Sequence, residues 1–386
     1  MPKALIPILA ITAVDVLGFT ILIPLLPFYA EKYGATPFII GAIYATVALF
    51  SLVSSPFWGR ISDKIGRKGV LLVSQIAAFI AFVLLGIGGS LTIIFIARAI
   101  EGIGGGTIGV TQAYIADVTE PKDRAKAFGL VGATFGFGFL IGPALAGYLV
   151  RFGYPVPLFT AAGLALVTVF LTIFLLPESK QPVAAAPSIG QIVASLRMAD
   201  LGTLLRSQFC FSLAFAMWVS VFALFAERAL KFNASQTSTI FVVSAVVGIV
   251  VQAGLIGRLV DRFGEGRIAI AGFGCLAIGY GGVFFVHTLA ALLVVVFFWA
   301  LGGGLLRPTI SSLISQNAPA EQRGTILGVN DSLGNVAFVI SPFIATKVLS
   351  LDTNWVGFAP AIMALVGLAI GYRLFTRPKS LAAVAH

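Results

Sequence analysis

A chain of 386 residues that is 59% hydrophobic and only 10% charged does not have the composition of a water-facing surface, and a mean hydropathy of +1.03 makes lipid its main solvent. The formal net charge of +10 does not point to nucleic acid, because the basic residues sit in short connections between apolar runs rather than along one face. A transmembrane β-barrel is set aside as well, since segments of about ten residues alternating apolar with polar are not the pattern here.

In chain order, apolar runs bounded by turn residues and charges predict about twelve helical spans, at roughly 4–30, 38–58, 69–89, 91–117, 126–150, 155–176, 203–226, 236–257, 268–286, 289–316, 325–348 and 355–375. The first run is too long for the apolar part of a signal peptide and ends in Glu31 and Lys32 without a cleavage pattern, so it is read as a span. Between the sixth and seventh spans, Pro177 to Gly202 is the long non-spanning stretch, rich in Pro, Ala and Ser. Ile189, Ile192, Val193 and Leu196 recur there at helical spacing, which fits either a short helix on the membrane surface or a tether. The expected fold is an all-α membrane protein of two pseudo-symmetric six-helix bundles, 1–176 and 203–386, joined by a linker at 177–202.

An even number of spans puts both termini on one face. That face carries Lys3, the basic residues of 60–68, 122–126, 258–267 and 373–379, and Lys180, Arg197, Arg206 and Arg323. The other has Lys32, Arg151, Arg228, Lys231 and Lys347. The excess makes the termini and linker cytoplasmic and the protein a multi-pass protein of the cell membrane. The halves are also related. Gly59-Arg60, Asp63 and Gly66 recur at one constant offset as Gly257-Arg258, Asp261 and Gly264, and the same offset carries Gly104 to Gly106 onto Gly302 to Gly304. One further residue carries Arg124, Gly129 and Pro143 onto Arg323, Gly328 and Pro342. Two such bundles about an axis normal to the membrane enclose a cavity that opens to either face by rocking.

Charges inside spans are costly and usually face a cavity or a partner. Asp15, Arg98, Glu101, Arg307 and Asp331 are the ones expected there. Asp15 is the first candidate for contact with substrate or proton, with a packing carboxylate bonded to backbone amides as the alternative. Arg98 and Glu101, three apart, share a helix face that Gly105 and Gln112 extend. They fit a structural ion pair, or a site in which Glu101 or Asp15 takes a proton and Arg98 holds the ionised carboxylate. Arg307 and Asp331, with Asn330 and Asn335 nearby, are placed to pair across adjacent helices, and neither has a charged counterpart in the first half, as expected of a substrate site. Cys210 and Cys275 lie in apolar spans and no Cys/His grouping suggests a metal. There is no Gly-Lys-Ser/Thr phosphate loop, so an ion gradient is the expected energy source.

The connection Gly59-Arg60-Ile61-Ser62-Asp63-Lys64-Ile65-Gly66-Arg67-Lys68 resembles the signature loop of the major facilitator superfamily. Asp63 is suited to face the positive N-terminus of a helix in the other half and be held by nearby arginines such as Arg67, latching one conformation, with Gly257, Asp261 and Gly264 as the symmetric counterpart. Asp15-Val16-Leu17-Gly18 followed by Pro24 and Pro27 resembles the first-span motif of the drug:proton antiporter branch, which includes tetracycline exporters. Arg98 with Gly102 and Gly104 is similar to the superfamily's arginine motif, linked in the family to proton transfer. Gly132, Gly136, Gly138, Gly142-Pro143 and Gly147 match its antiporter motif, and this small-residue face is expected to abut the other half. The third and ninth spans lack the acidic residues that tetracycline exporters carry there, which counts against tetracycline itself.

The resemblance implies a secondary active transporter, not an enzyme, that exports lipophilic small molecules in exchange for protons by alternating access. Its expected partners are a small-molecule substrate, protons and the bilayer, and it is expected to act as a monomer with no cofactor and no metal. The competing readings are passage of a sugar, organic acid or other metabolite, and a lipid flippase or transporter-like sensor.

Overall fold

The computed structural model describes residues 5–105, 107–119, 124–179, 189–319 and 323–376. Among these residues there is no strand, as a hydrocarbon solvent requires of a chain that must satisfy its backbone within each span. The first half comprises α1 (Leu5–Leu22), α2 (Leu26–Glu31), α3 (Pro37–Ile65), α4 (Arg67–Ile87), α5 (Leu91–Gly104), α6 (Thr107–Val118), α7 (Arg124–Leu149) and α8 (Pro155–Leu175). After α9 (Ile189–Arg197) come α10 (Ala199–Leu230), α11 (Ala234–Val250), α12 (Ile256–Phe263), α13 (Glu265–Gly282), α14 (Leu289–Asn317), α15 (Arg323–Leu351) and α16 (Phe358–Phe375).

Ten helices among the described residues are long and apolar enough to cross a membrane. The other two expected spans are interrupted rather than missing. The fourth is cut at Gly105 into α5 and α6, and the eighth passes through a π-helical turn at Val251–Leu255 between α11 and α12. The first span is also broken, because Pro24 has no N–H to continue α1, while Pro27 sits in the first turn of α2 where it is tolerated. Tyr44 of α3 donates to the Ile23 carbonyl at this break, at 3.0 Å.

Helix starts are capped as their sequences dictate. Thr36, Ser90 and Thr288 accept the N–H three residues on, and Asn233 forms a reciprocal box with Gln236. Gly66 and Gly264, which the repeat superimposes, adopt φ of +96° and +81° between consecutive helices, a region that disfavours any side chain. The duplication therefore extends to the backbone. Of the two readings left open for the stretch around Ile189 to Leu196, the helical one forms, as α9, with Ile192 and Leu196 packed on the main apolar core beside α10.

The two sets of spans meet on the face opposite the termini. Phe38 of α3 and Phe343 of α15 have ring centroids 5.5 Å apart. A Cβ at Gly41 would stand 3.0 Å from the Pro342 carbonyl. Ser235 of α11 donates to the Gly147 carbonyl of α7 at 2.8 Å. Toward the termini, among the described residues, a Cβ at Gly59, Gly132, Gly254 or Gly257 would meet nothing within 4 Å. The contacts that join the halves among the described residues gather at the far face.

Candidate functional site

Asp15, two-thirds of the way along α1, points at Gln75 of α4 and Thr168 of α8. Both neighbours are buried, at 1% and 0% exposure, and the Thr168 hydroxyl donates to the Ala165 carbonyl at 2.8 Å. Asp15 Oδ2 is buried with no hydrogen-bond partner. No backbone N–H among the described residues donates to this carboxyl, so the packing carboxylate bonded to amides is not the arrangement that forms. An unpaired anionic oxygen in such surroundings is costly, and a proton or an approaching cation relieves the cost. Sequence reasoning named Gln112, Asn330 and Asn335 among the uncharged polar residues but missed Gln75 and Thr168, whose signal was polarity within apolar runs.

Arg98 and Glu101 are joined as their spacing dictates, Nη1 of the arginine donating to Oε2 of the carboxylate. Their side chains are 3% and 13% exposed, and Arg98 Nε has no partner. Directly beyond, Gly102 lets α5 approach α3 so closely that a Cβ there would lie 2.8 Å from the Val47 carbonyl. Ser54 of α3 donates to the Gly102 carbonyl at 3.0 Å and Ser55 to that of Gly105 at 3.1 Å, satisfying backbone groups at the break. That break corrects the expected continuous stripe. Gln112 is half-buried on α6, a separate helix from the one bearing Arg98, Glu101 and the Gly105 cap.

Arg307 and Asp331 do not pair, contrary to expectation. Arg307 instead meets Phe215 of α10. The Arg307 guanidinium lies over its ring at 5.2 Å from the centroid, and the same ring meets Phe338 of α15 at 6.3 Å. Asp331 instead has Asn330 within hydrogen-bonding reach. Both charged side chains are exposed, while Asn330 Oδ1 is buried without a partner. Asn335 is half-buried one turn further along α15.

In the expected latch, Arg67 is 2% exposed. It donates to the Ser62 hydroxyl, and its Nε lies 3.5 Å from Oδ2 of Asp117 on α6. Ser179 donates to the same Asp117 oxygen at 2.8 Å. Glu178 accepts the Lys68 N–H at 3.2 Å, and its carboxyl fills the space a side chain at Gly66 would need. Arg67 is thus held by α6 and by the start of the linker that follows the sixth span. The Asp63 side chain lies outside the described residues. A Cβ at Gly59 or Gly257 would meet open space, Asp261 is exposed, and Gly264 caps the turn into α13. Asp117, Glu178 and Ser179 escaped sequence reasoning because only the tertiary fold brings them to the motif.

The glycines of α7 do not all face the other half. Gly138 and Gly142 receive Val16 and Thr20 of α1, and the Thr20 hydroxyl donates to the Gly138 carbonyl at 2.8 Å. Gly147 receives Ser238 of α11, 2.9 Å from a Cβ, and Gly136 looks toward Ile249 at 3.7 Å. At roughly 100° per residue, positions 136 and 147 fall on one side of the helix and 138 and 142 on nearly the opposite side. Pro143 is accommodated inside the helix, and Gly132 stands free. The motif thus serves two contacts, one within the first half and one across the seam.

The chain matches the family model described as Major Facilitator Superfamily over residues 8–342, and again over residues 204–385. It is 31% identical over 369 residues to multidrug resistance protein 1 of Bacillus subtilis, covering 93% of this chain and 92% of that one. It is 28% identical over 367 residues to the class C tetracycline resistance protein of Escherichia coli, covering 92% of each. Among solved structures, the human organic anion transporter MFSD10 superposes with a TM-score of 0.76 at 19% identity, covering 95% of this chain and 98% of that one. A POT family transporter in complex with a thioalcohol-conjugated peptide does so with a TM-score of 0.78 at 15% identity, covering 98% and 97%.

Proposed function

The chain belongs to the Major Facilitator Superfamily, the multi-pass membrane transporters, and from that premise we propose that it exports lipophilic small molecules from the cell in exchange for protons. Two bundles, 1–176 and 203–386, rock about the linker 177–202, with both termini and the linker cytoplasmic and the chain acting as a monomer in the cell membrane. The conformation described above is then the inward-open one. Asp15 carries the exchanged proton, and the observation that supports this is its buried, unpartnered oxygen beside Gln75 and Thr168. Proton and cationic solute relieve the same unpaired charge, so they compete, and competition for one carboxylate is the simplest basis for antiport. Arg98 and Glu101 on the fourth span are the further proton-coupling candidates, while Gln112, Arg307, Asn330, Asp331 and Asn335 are the candidate substrate contacts. The multidrug and tetracycline resistance proteins at 28–31% identity support an export role.

The test is substrate-dependent proton movement. Purified protein in vesicles under an imposed pH gradient is given a fluorescent lipophilic cation or tetracycline, and proton release is recorded for wild type, Asp15→Asn and Glu101→Gln. Loss of coupled proton release in Asp15→Asn, with substrate binding retained, is the expected result. Undiminished coupling in that variant removes Asp15 from the role, and inward co-movement of proton and solute overturns export.

A further inference from the structure

We propose that Glu31 and Glu227 form a proton-operated seal at the face opposite the termini, sharing one proton across the seam between the halves while that face is closed. The proposal rests on the alternating-access reading above, but not on Asp15. Glu31 ends α2, the outer segment of the first span, and Glu227 lies in the last turn of α10. Their carboxyls come within hydrogen-bonding reach of each other in a cavity of about 470 Å³. Phe28, Glu31 and Tyr154 line it from the first half, and Glu227, Arg228 and Lys231 from the second. Lys231 has φ of 57°, the only positive value outside glycine among the described residues. An L residue holds that conformation at a cost of about 1–2 kcal/mol, so the backbone at this corner is fixed by its surroundings.

Two adjacent carboxylates repel when both are ionised and bond when they hold one proton between them. The charged and titratable groups around Glu31 are Lys32 and Tyr33 on its own segment, Tyr154 at the head of α8, and Glu227, Arg228 and Lys231 from α10 and its cap. Burial, then the bond and charge of Glu227, raise Glu31 from its ordinary 4.5 to about 7, against the opposing pull of Arg228. Burial together with the charges of Glu227 and Glu31 also pushes the Tyr154 phenol up. When this face opens, α2 and α10 part and Glu31 loses both the burial and the neighbouring carboxyl that raise it. A carboxyl raised only in the closed state favours closure when protonated. That contribution is full below about pH 4.5 and is lost as pH rises through about 7. Acid outside therefore holds the gate shut and alkali releases it.

The test uses the full chain in nanodiscs, with Cys210 and Cys275 replaced by Ala and spin labels at Phe152→Cys and Ser350→Cys, both exposed at this face. The distance distribution is recorded from pH 5 to pH 9. Wild type is expected to move from the short to the long distance with a midpoint near the Glu31 value. Glu31→Gln is expected to abolish the shift, and Glu227→Gln to lower the midpoint by roughly one pH unit or more. A midpoint unchanged in both variants overturns the proposal, as does a wild-type distance that does not respond to pH. Proton release per substrate is measured on the same variants. If Glu31→Gln retains coupled antiport but loses the pH response, the seal is confirmed as separate from the transported proton. If antiport is absent in wild type while the pH shift persists, the transport reading fails and the seal stands.

Discussion

A methyl group added at two glycines of α7 separates helix propensity from close contact. At Gly142 the new Cβ would fall on the Thr20 hydroxyl, 2.8 Å from the Thr20 Cβ and 3.1 Å from the Ile21 nitrogen. Thr20 is 0% exposed and its hydroxyl already donates to the carbonyls of Val16 and Gly138, each at 2.8 Å. It cannot turn aside without losing the bond that ties α1 to α7. Overpacking costs about 1–3 kcal/mol, and the lost interhelical bond about 0.6. The Gly→Ala gain in helix propensity offsets about 1. Gly142→Ala is therefore expected to destabilise by about 0.6–2.6 kcal/mol, roughly a 3–80-fold change in equilibrium. At Gly132 a Cβ meets nothing within 4 Å, so only the propensity gain of about 1 kcal/mol remains. Thermal unfolding of both variants in detergent micelles checks this, with the midpoint falling for Gly142→Ala and unchanged or higher for Gly132→Ala. Equal shifts in the two would refute the assignment of Gly138 and Gly142 to the α1 contact.

Glu101→Gln strands the buried Arg98 without its counter-charge and is expected to cost about 3–5 kcal/mol, whereas Arg98→Met with Glu101→Leu recovers most of it. A double-mutant cycle on unfolding midpoints reads the coupling, and additive losses would show that the pair is not a unit. Arg307→Ala removes the cation over Phe215, an interaction of about 0.5–2 kcal/mol. If Arg307 touches substrate, KM in the vesicle assay rises with kcat preserved. A fall in kcat alone would move the residue out of the binding surface.

The spans were legible because length and hydropathy dominate when the solvent is lipid, and the constant offset from Gly59 to Gly257 disclosed the duplication before any contact was known. The Arg98–Glu101 pair was legible for a different reason: residues three apart on a helix must meet. The interruptions were not. Whether Gly105 ends a helix depends on Ser54 and Ser55 of α3 being present to take the freed carbonyls, and that is a fact about a neighbouring span. The same holds for Arg67, whose partner Asp117 lies fifty residues on, and for Arg307, where adjacency in span order favoured Asp331 and the guanidinium lies over the Phe215 ring of α10 instead. Glu31 read only as the end of the first apolar run and Glu227 gave no signal, since only the fold brings them to one cavity.

Although the first span is two rods joined at residues 23–25 rather than one, its acidic groups belong to one body. Asp15 is seated against α4 and α8, while Glu31 ends a six-residue tip whose other residues are buried and whose Tyr29 hydroxyl donates to the Leu85 carbonyl of α4. The bend at Pro24 therefore changes the direction of the span without freeing its outer end, and any reorientation of the first half carries both carboxyls together.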